Sequence, residues 1–425
     1  MRTTLRALAL ACAVLVTASA CATGSFRDGP SDTITILTHY GSQPQKSELK
    51  KLVDKWNGTH PDAQVETQTV FYDDLLQTIT ARQTAGQGPD IINAYSLWGG
   101  QLAAADVLDT PPSDVASDIR EHYSPAAAKT VSVGDRVLGY PTEMQTYALF
   151  YNKKLLAAAG VKHPPKTWDE LREISRKTST HDSSGNLDVA GFGLTAGFND
   201  TAVVHPFASL LQSAGGRYMT DHGRAAFDSE AGEKALSLEK RLIDDGSADP
   251  GIDVAKAFPS GRVAMTINAG YMIGSLKAVM GKSYKDIGVA PIPGPRLGDR
   301  GSVAYSFFSG VNARSHHKKQ AWEFLRWLNA EPAAHGATRM GALQFSVGTI
   351  SGRVSDSRAL AVDDPNYTPF VDALDYALPE ANPQGGQQMK TALQGSIQSV
   401  WSGEETVDAA LSSAAAEADA TLPRH

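Results

Sequence analysis

Residues that could do catalytic chemistry occur in this chain, but none forms a complete catalytic pattern. Gly281-Lys282-Ser283 resembles the end of a phosphate-binding loop, yet that motif needs a glycine where Leu276 stands. His316 and His317 are adjacent, so they cannot share one helix face as a pair of metal ligands would. The chain also lacks the H-E-x-x-H and G-x-S-x-G patterns of zinc peptidases and serine hydrolases.

Two other features fail as catalytic or cofactor-binding patterns. A glycoside hydrolase needs two carboxylates across the scissile bond. Asp90 and Glu143 are available, but nothing in the sequence pairs them. Gly191-Phe192-Gly193 with Ala196 matches a dinucleotide fingerprint only loosely and is better explained as a glycine-rich turn. The sequence therefore predicts no catalytic residue, no metal site and no cofactor.

The N-terminus has the pattern of an export signal. Arg2 and Arg6 precede a stretch of apolar or small residues from 7 to 20. A basic start with a short apolar core is typical of a secretory signal. The core is too short for a transmembrane helix, which needs about 20 apolar residues. Residues 1–20 are therefore predicted to be a lipoprotein signal peptide that is removed on export.

Cys21 directly follows this signal, in the order Ala18-Ser19-Ala20-Cys21. The ending resembles a bacterial lipobox, whose cysteine is lipidated, although leucine is usual where Ala18 stands. Cys12 lies within the signal, so the mature chain keeps one cysteine and can form no intrachain disulfide. We predict lipid attachment at Cys21 on the outer face of the cell membrane, with 21–32 as a flexible tether. A free secreted protein cleaved by an ordinary signal is the alternative.

Length and composition fit two soluble domains. Removing the 20 signal residues from 425 leaves 405, which is long for one hydrophobic core. The chain is 42% hydrophobic and 20% charged, as is usual for soluble globular proteins. Its net charge of -7 provides no basic surface for nucleic acid.

Strand and helix patterns alternate along the chain. The β-branched run at 33–38 predicts a strand, and Leu49, Leu52, Val53 and Trp56 define one face of a helix. Thr167 and Glu170 form a capping box that predicts a helix start. Further strands are predicted at 64–70, 90–94, 263–267 and 287–290, and further helices from Asp73 and around Ala321, Phe324, Leu325 and Leu328. This alternation predicts an α/β fold with mostly parallel sheets covered by helices.

Short segments stand in a recognisable order along the chain. They are Gly88-Pro89-Asp90-Ile91-Ile92, Gly139-Tyr140-Pro141, Leu149-Phe150-Tyr151-Asn152-Lys153, Pro164-Pro165-Lys166-Thr167-Trp168-Asp169-Glu170-Leu171, Ala214-Gly215-Gly216, Ala264-Met265-Thr266-Ile267-Asn268, Gly288-Val289-Ala290-Pro291 and Ala321-Trp322-Glu323-Phe324-Leu325. The ordered set, covering about 33–348, resembles bacterial extracellular solute-binding proteins of the sugar type, the maltose-binding-like family. The resemblance implies a two-lobed, periplasmic-binding-protein-like α/β fold. Each lobe would be a mainly parallel sheet flanked by helices, with the ligand cleft between the lobes.

The resemblance also implies where the chain passes from lobe to lobe. Crossings are expected near 140–145, 291–295 and 341–347. The first lobe would comprise 33–141 plus 295–340, and the second 142–290 plus 348–425. Short segments at the ends of elements suit hinges, because few residues then absorb the change in backbone angles.

Candidate ligand-binding residues follow strands, at the ends that face a cleft in α/β proteins. Polar side chains would pair the hydroxyls of a sugar, and aromatic rings would pack on its C–H faces. Tyr271 stands where the family commonly has an aromatic platform, often a tryptophan. The candidates are His39, Tyr40, Gln43, Tyr95, Ser96, Trp98, Gln145, Tyr147, Asn199, Asp200, Asn268, Gly270, Tyr271, Phe307, Phe308 and Gln344. Asp90 is instead expected to satisfy backbone N–H groups near the turn at 86–88.

The resemblance implies a function in import. The protein would be the extracellular, lipid-anchored substrate-binding component of an ABC importer. As a monomer, it would capture a mono- or oligosaccharide and deliver it to the membrane permease subunits. A secreted enzyme acting on glycans and a surface receptor that presents its ligand to a signalling protein are the alternatives.

Overall fold

The structure is a computed structural model that describes residues 33–197, 199–220, 222–333 and 336–422. The predicted signal peptide, Cys21 and the tether lie outside these residues. Within the described ranges, no helix is both long and apolar enough to cross a membrane.

Strands and helices alternate through most of the described chain. The strands are β1 (Thr33–Thr38), β2 (Gln64–Thr69), β3 (Ile91–Tyr95), β4 (Ser132–Val133), β5 (Arg136–Val137), β6 (Tyr140–Asn152), β7 (Thr180–His181), β8 (Leu187–Gly193), β9 (Val263–Ala269), β10 (Ile287–Ala290), β11 (Ile292–Pro293), β12 (Arg300–Gly301), β13 (Val303–Val311), β14 (Ile350–Ser351) and β15 (Leu378–Pro379). The helices are α1 (Gln45–Asn57), α2 (Tyr72–Thr84), α3 (Gly99–Ala104), α4 (Ser113–His122), α5 (Pro125–Thr130), α6 (Lys153–Ala158), α7 (Trp168–Thr178), α8 (Asp200–Ser213), α9 (Glu230–Asp244), α10 (Val254–Ala257), α11 (Met272–Met280), α12 (Lys318–Asn329), α13 (Arg339–Ser346), α14 (Val354–Leu360), α15 (Thr368–Ala373), α16 (Gly386–Ser402) and α17 (Val407–Thr421).

One large sheet runs through the protein in the order β2-β1-β3-β13-β6-β9-β8-β7. Strand β6 is 13 residues long and belongs to both halves of the sheet. Its first part, from Tyr140 to Thr146, pairs with β13, and its second part, from Tyr147 to Tyr151, pairs with β9. We call the β1–β3 side with its helices lobe 1, and the β8–β9 side with its helices lobe 2.

The predicted parallel pairing holds for β1 with β2 and β3 in lobe 1 and for β8 with β9 in lobe 2, whereas the edge strand β7 runs antiparallel to β8. The central strands differ from the prediction, because β13 and β6 run antiparallel to each other and to β3 and β9. Strand β6 continues from lobe 1 into lobe 2 and pairs with a strand in each. Its direction is therefore not set by the strand-helix-strand units within one lobe, which favour parallel pairing.

Local sequence patterns account for several elements. Leu49, Val53 and Trp56 are the buried face of α1, as predicted. The Thr167 hydroxyl accepts the N–H of Glu170 at the start of α7, which confirms half of the capping box. The Glu170 carboxylate bonds the N–H of Lys166 instead of that of Thr167, so its reach goes one residue further back.

Asp90 has a structural role, but with other partners than expected. Its carboxylate accepts the backbone N–H of Thr35 at 2.8 Å and the hydroxyl of Ser315 at 2.6 Å. The expected bonds to the turn at 86–88 are replaced by bonds between chain segments. Because these partners lie far apart in sequence, Asp90 joins β1 to the segment before α12.

Candidate ligand-binding site

Aromatic rings from several elements form a wall on lobe 1. His39 follows β1, Tyr72 begins α2, Tyr95 ends β3, and Trp98 lies in the short turn before α3. The rings of Tyr72 and Trp98 stack with centroids 5.6 Å apart, and that of His39 stacks on Phe307 of β13 at 3.9 Å. Tyr95 lies between these pairs, 5.5 Å from both Trp98 and Phe307. The wall thus continues from the end of β1 to the end of β3.

A line of polar groups crosses β6 from lobe 1 to lobe 2. His39 lies 3.0 Å from the Asn93 amide oxygen on one side and 3.5 Å from the Glu143 carboxylate on the other. The Gln145 amide donates to Glu143 at 2.8 Å, and its oxygen accepts the backbone N–H of Tyr271 at 3.2 Å. Both His39 and Glu143 keep part of their side chains exposed. The line ends at Tyr271, the residue before α11, which is 38% exposed.

A fully enclosed cluster of charged groups lies behind the wall. Glu380 accepts from His205 at 2.6 Å and from Lys390 at 2.9 Å, and the Tyr95 hydroxyl also donates to it. Burial acts to raise the pKa of Glu380, but Lys390 and His205 outweigh it and lower that pKa to about 2. Burial and then Lys390 lower the pKa of His205, so its ring is neutral at pH 7. One ring nitrogen then donates to Glu380, and the other accepts from the Tyr147 hydroxyl at 3.0 Å.

Further hydrogen bonds join the wall to lobe 2. The Trp98 indole donates to the Gln387 oxygen at 3.2 Å, and the Gln387 amide donates to Asp200 at 2.6 Å. Lys390 donates to the Tyr95 hydroxyl at 2.8 Å. Burial, then Asp200 and Glu380, raise the pKa of Tyr72 well above its ordinary value. Carboxylates of lobe 2 thus act electrostatically on the aromatic wall of lobe 1.

The structure brings many of the predicted site residues together. The wall, the polar line and the charged cluster share the region where β6 crosses between the lobes, which we call the interlobe site. A Cβ atom built on Gly270 would lie 3.6 Å from the Gln145 oxygen, which places this glycine beside the polar line. The predicted residues in the interlobe site are His39, Tyr95, Trp98, Gln145, Tyr147, Asp200, Gly270, Tyr271 and Phe307.

Four of the other predicted residues are held by contacts within the protein. Tyr40 and Gln344 are buried and bonded to each other at 2.6 Å. The Ser96 hydroxyl is buried and accepts the N–H of Ser306. Phe308 is fully buried within β13.

Three more have local bonds at the ends of elements. Asn199 caps α8 by accepting the N–H of Ala202. Asn268 accepts the N–H of the next residue. Gln43 is exposed before α1 and accepts the N–H of Ser47. Each of these three bonds uses the side-chain oxygen and not the amide N–H groups.

Sequence reasoning missed several groups of the interlobe site. From the sequence, Glu143 suggests only one half of a catalytic carboxylate pair, and Tyr72 lies one residue before the predicted helix start. The other missed residues are Thr201, His205, Glu380, Gln387 and Lys390. Thr201 and His205 are four residues apart on α8 and share a helix face, but neither is three or four residues from Asp200, so the helix period did not mark them. For the three residues beyond 378, no motif marked the segment.

This arrangement suits the binding of a hydroxyl-rich molecule. Aromatic faces offer apolar contact, and carboxylate and amide groups offer acceptors and donors. In the described ranges, no group of three or more His, Cys, Asp or Glu side chains is arranged to hold a metal ion.

Two curated relatives are named as binding proteins. A Brucella abortus protein named only as a binding protein is 25% identical over 388 residues, which is 90% of each chain. The maltotriose-binding protein of Pyrococcus abyssi is 26% identical over 309 residues, covering 70% of this chain and 63% of that one.

The fold matches that of a receptor whose structure has been solved. The GacH receptor of Streptomyces glaucescens, solved unliganded and in complex with acarbose, superposes with a TM-score of 0.77 at 23% identity. The match covers 92% of this chain and 98% of the receptor. It confirms the predicted periplasmic-binding-protein-like α/β fold. The family described as bacterial extracellular solute-binding protein matches residues 40–335, well over half of the chain. The protein therefore belongs to the bacterial extracellular solute-binding protein family.

Proposed function

We propose that the protein captures a mono- or oligosaccharide at the interlobe site and delivers it to the permease of an ABC importer. The observation that carries this proposal is the meeting of aromatic rings and partly exposed carboxylates at the crossing of β6. A maltotriose-binding relative and a fold match that was solved with acarbose support a sugar as the ligand.

We assign ligand contact to groups of the interlobe site that keep some exposure. They are His39, Tyr72, Glu143, Asp200, Thr201 and Tyr271, with the edge of Trp98. The lobe boundaries expected from the sequence are kept as part of this proposal, with crossings near 140–145, 291–295 and 341–347. Tyr72 and Trp98 would then meet the sugar from lobe 1, and Asp200 and Tyr271 from lobe 2.

The charges of the site favour a neutral sugar. Glu143 and Asp200 are partly exposed carboxylates. The fully buried Lys390 lies 2.9 Å from Glu380 and 3.7 Å from Asp200, so its one positive charge is shared between two carboxylates. At about 6 Å, two like charges repel by roughly 3 kcal/mol at an effective dielectric constant of 20. A uronic acid should therefore bind at least tenfold more weakly than the neutral sugar of the same shape.

A thermal-shift screen tests sugar binding. The panel contains glucose, maltose, maltotriose, arabinotriose, mannobiose and glucuronic acid. A sugar at 100 times its Kd adds about 2.7 kcal/mol to the stability of the folded protein, so we expect one neutral sugar to raise Tm by several degrees. Chromatography should recover that sugar unchanged. Steady conversion to another product would favour the secreted-enzyme alternative instead.

The membrane anchor is proposed at Cys21. Replacing Cys21 with Ala should release the protein from the cell surface into the medium, because the lipid chains on Cys21 are proposed to anchor the protein in the membrane. Cys12→Ala, within the predicted signal, is the matched control and should leave the protein on the cells. Detection by cell fractionation checks both. A wild-type protein that is already free in the medium with an unmodified N-terminus would contradict the anchor.

Delivery to a permease separates this function from that of a signalling receptor. Cells that lack the protein should lose uptake of the sugar found in the screen, and the wild-type chain should restore it. Normal uptake in cells without the protein would favour the receptor alternative.

A further inference from the structure

Gln387 connects an aromatic ring of lobe 1 to a carboxylate of lobe 2. Its oxygen accepts the Trp98 indole N–H at 3.2 Å, and its amide nitrogen donates to Asp200 at 2.6 Å. An indole N–H only donates and a carboxylate only accepts, so a single orientation of the amide satisfies both. The bridge thus fixes the amide and its two partners together.

The chain around Gln387 is anchored to lobe 1 just before this bridge. The Asn382 carbonyl accepts the N–H of Gly100 at 2.9 Å, and its side chain donates to the Thr130 carbonyl at 2.9 Å. The approach at Gly100 is so close that the Asn382 oxygen leaves no room for a Cβ atom there. The segment that leads into α16 therefore lies directly on lobe 1.

The same chain is anchored to lobe 2 just after the bridge. Helix α16 packs against α8 and α9. Lys390, one turn beyond Gln387, donates to Thr201 on α8 at 3.0 Å and to Tyr95 of lobe 1 at 2.8 Å. Residues three apart share a helix face, so Gln387 and Lys390 make parallel connections between the lobes.

We propose that Gln387 is a positioning residue for ligand binding. Its amide sets the plane of the Trp98 ring relative to the Asp200 carboxylate, so that a ligand between the lobes meets both groups in one geometry. This role rests on the proposed sugar-binding function. A side chain that lacks either hydrogen bond should weaken binding, although it removes no contact made by Trp98 or Asp200.

The polarity of the bridge gives a specific test. Gln387→Glu keeps an acceptor for Trp98 but places a second carboxylate against Asp200. In the Asp200→Asn background, the amide of the new asparagine can donate to the introduced carboxylate, which restores the bridge with reversed polarity. We therefore expect Gln387→Glu to raise the Kd at least tenfold relative to the wild type. In the Asp200→Asn background, the same change should raise the Kd less than threefold relative to Asp200→Asn alone.

The affinity is measured by calorimetry with the neutral sugar of the panel that raises the wild-type Tm most. Gln388→Glu, the same change at the neighbouring exposed residue, is the matched control and should leave the Kd unchanged. Gln387→Met, which adds no charge, covers the case in which Gln387→Glu does not fold, and we expect it to weaken binding at least threefold.

A second readout needs no sugar. The chain has six tryptophans, so the indole N–H signal of Trp98 can be assigned in an NMR spectrum as the one lost in Trp98→Phe. This signal should shift in Gln387→Met and remain in place in Gln388→Glu. An unmoved signal would overturn the bridge itself.

The outcomes separate the two proposals. If the wild-type protein binds no sugar of the panel, the proposed function fails, and the role of Gln387 fails with it. If a sugar binds but the Kd is the same in Gln387→Met, or Gln387→Glu costs as much in the Asp200→Asn background as in the wild type, only the role of Gln387 is overturned.

Discussion

Replacing Lys390 with Met is expected to lower the free energy of unfolding by about 3–5 kcal/mol, the usual cost of breaking a buried ion pair. The Lys390 side chain is fully buried and lies 2.9 Å from Glu380. Without it, the Glu380 carboxylate would stay in the interior with only neutral donors from His205 and Tyr95. Urea denaturation followed by circular dichroism measures the loss.

A double-mutant cycle isolates the pair. Glu380→Gln should also destabilise the protein, but Lys390→Met/Glu380→Gln should lose less than the sum of the single changes, because the buried carboxylate is removed together with the lysine that pairs with it. Lys50→Met is the control, since Lys50 pairs with Asp54 at 2.7 Å on the exposed surface of α1 and should matter little. Additive losses in the cycle would show that the buried pair contributes no coupling.

Lowering the pH should reduce the stability that the Glu380–Lys390 pair contributes. The pKa of Glu380 is lowered from 4.5 to about 2 in the folded protein. Its stabilising contribution is therefore complete above about pH 5 and is lost as the pH falls toward 2, at about 1.4 kcal/mol per unit. Between pH 5 and pH 3, the wild-type protein should lose more stability than Glu380→Gln. Parallel pH profiles for the two proteins would contradict this assignment.

Replacing Tyr271 with Ala should weaken sugar binding at least tenfold, which is about 1.4 kcal/mol or more, and leave the unliganded Tm nearly unchanged. Tyr271 is 38% exposed at the start of α11, so its ring is available to a ligand and contributes little to the core. Calorimetry and thermal unfolding of the same preparation give both quantities.

Two tryptophan variants serve as controls for the Tyr271→Ala result. Trp98 is only 4% exposed and packs on Tyr72, so Trp98→Ala should lose both affinity and stability. Trp327 packs within lobe 1 against Trp56, so Trp327→Ala should lose stability and keep the affinity. A stability loss with intact affinity in Tyr271→Ala would assign Tyr271 to packing.

The sequence predicted the elements that depend on local pattern. The buried face of α1 followed from the spacing of Leu49, Val53 and Trp56, and β1 followed from its β-branched run. Trp98 and Tyr271 could be chosen because each follows a buried strand. Such features depend only on neighbouring residues, so they can be predicted from the sequence alone.

The rest of the site depends on contacts between distant segments. Trp98 and Gln387 are separated by 289 positions, and Tyr95 and Lys390 by 295. A glutamine and a lysine in a helix are ordinary surface residues until the fold encloses them, so nothing local marks their role. The antiparallel direction of β6 and β13 was missed for the same reason, because each of these strands pairs with segments far away in the sequence.

The most direct test of sugar binding is calorimetric titration of the purified protein with the sugar panel. We expect one neutral mono- or oligosaccharide to bind with a stoichiometry of one per chain. The Kd should be micromolar or lower and should rise at least tenfold in Tyr271→Ala. Heat signals at the level of buffer for every sugar at millimolar concentration would contradict the proposal that the interlobe site binds a sugar of this panel.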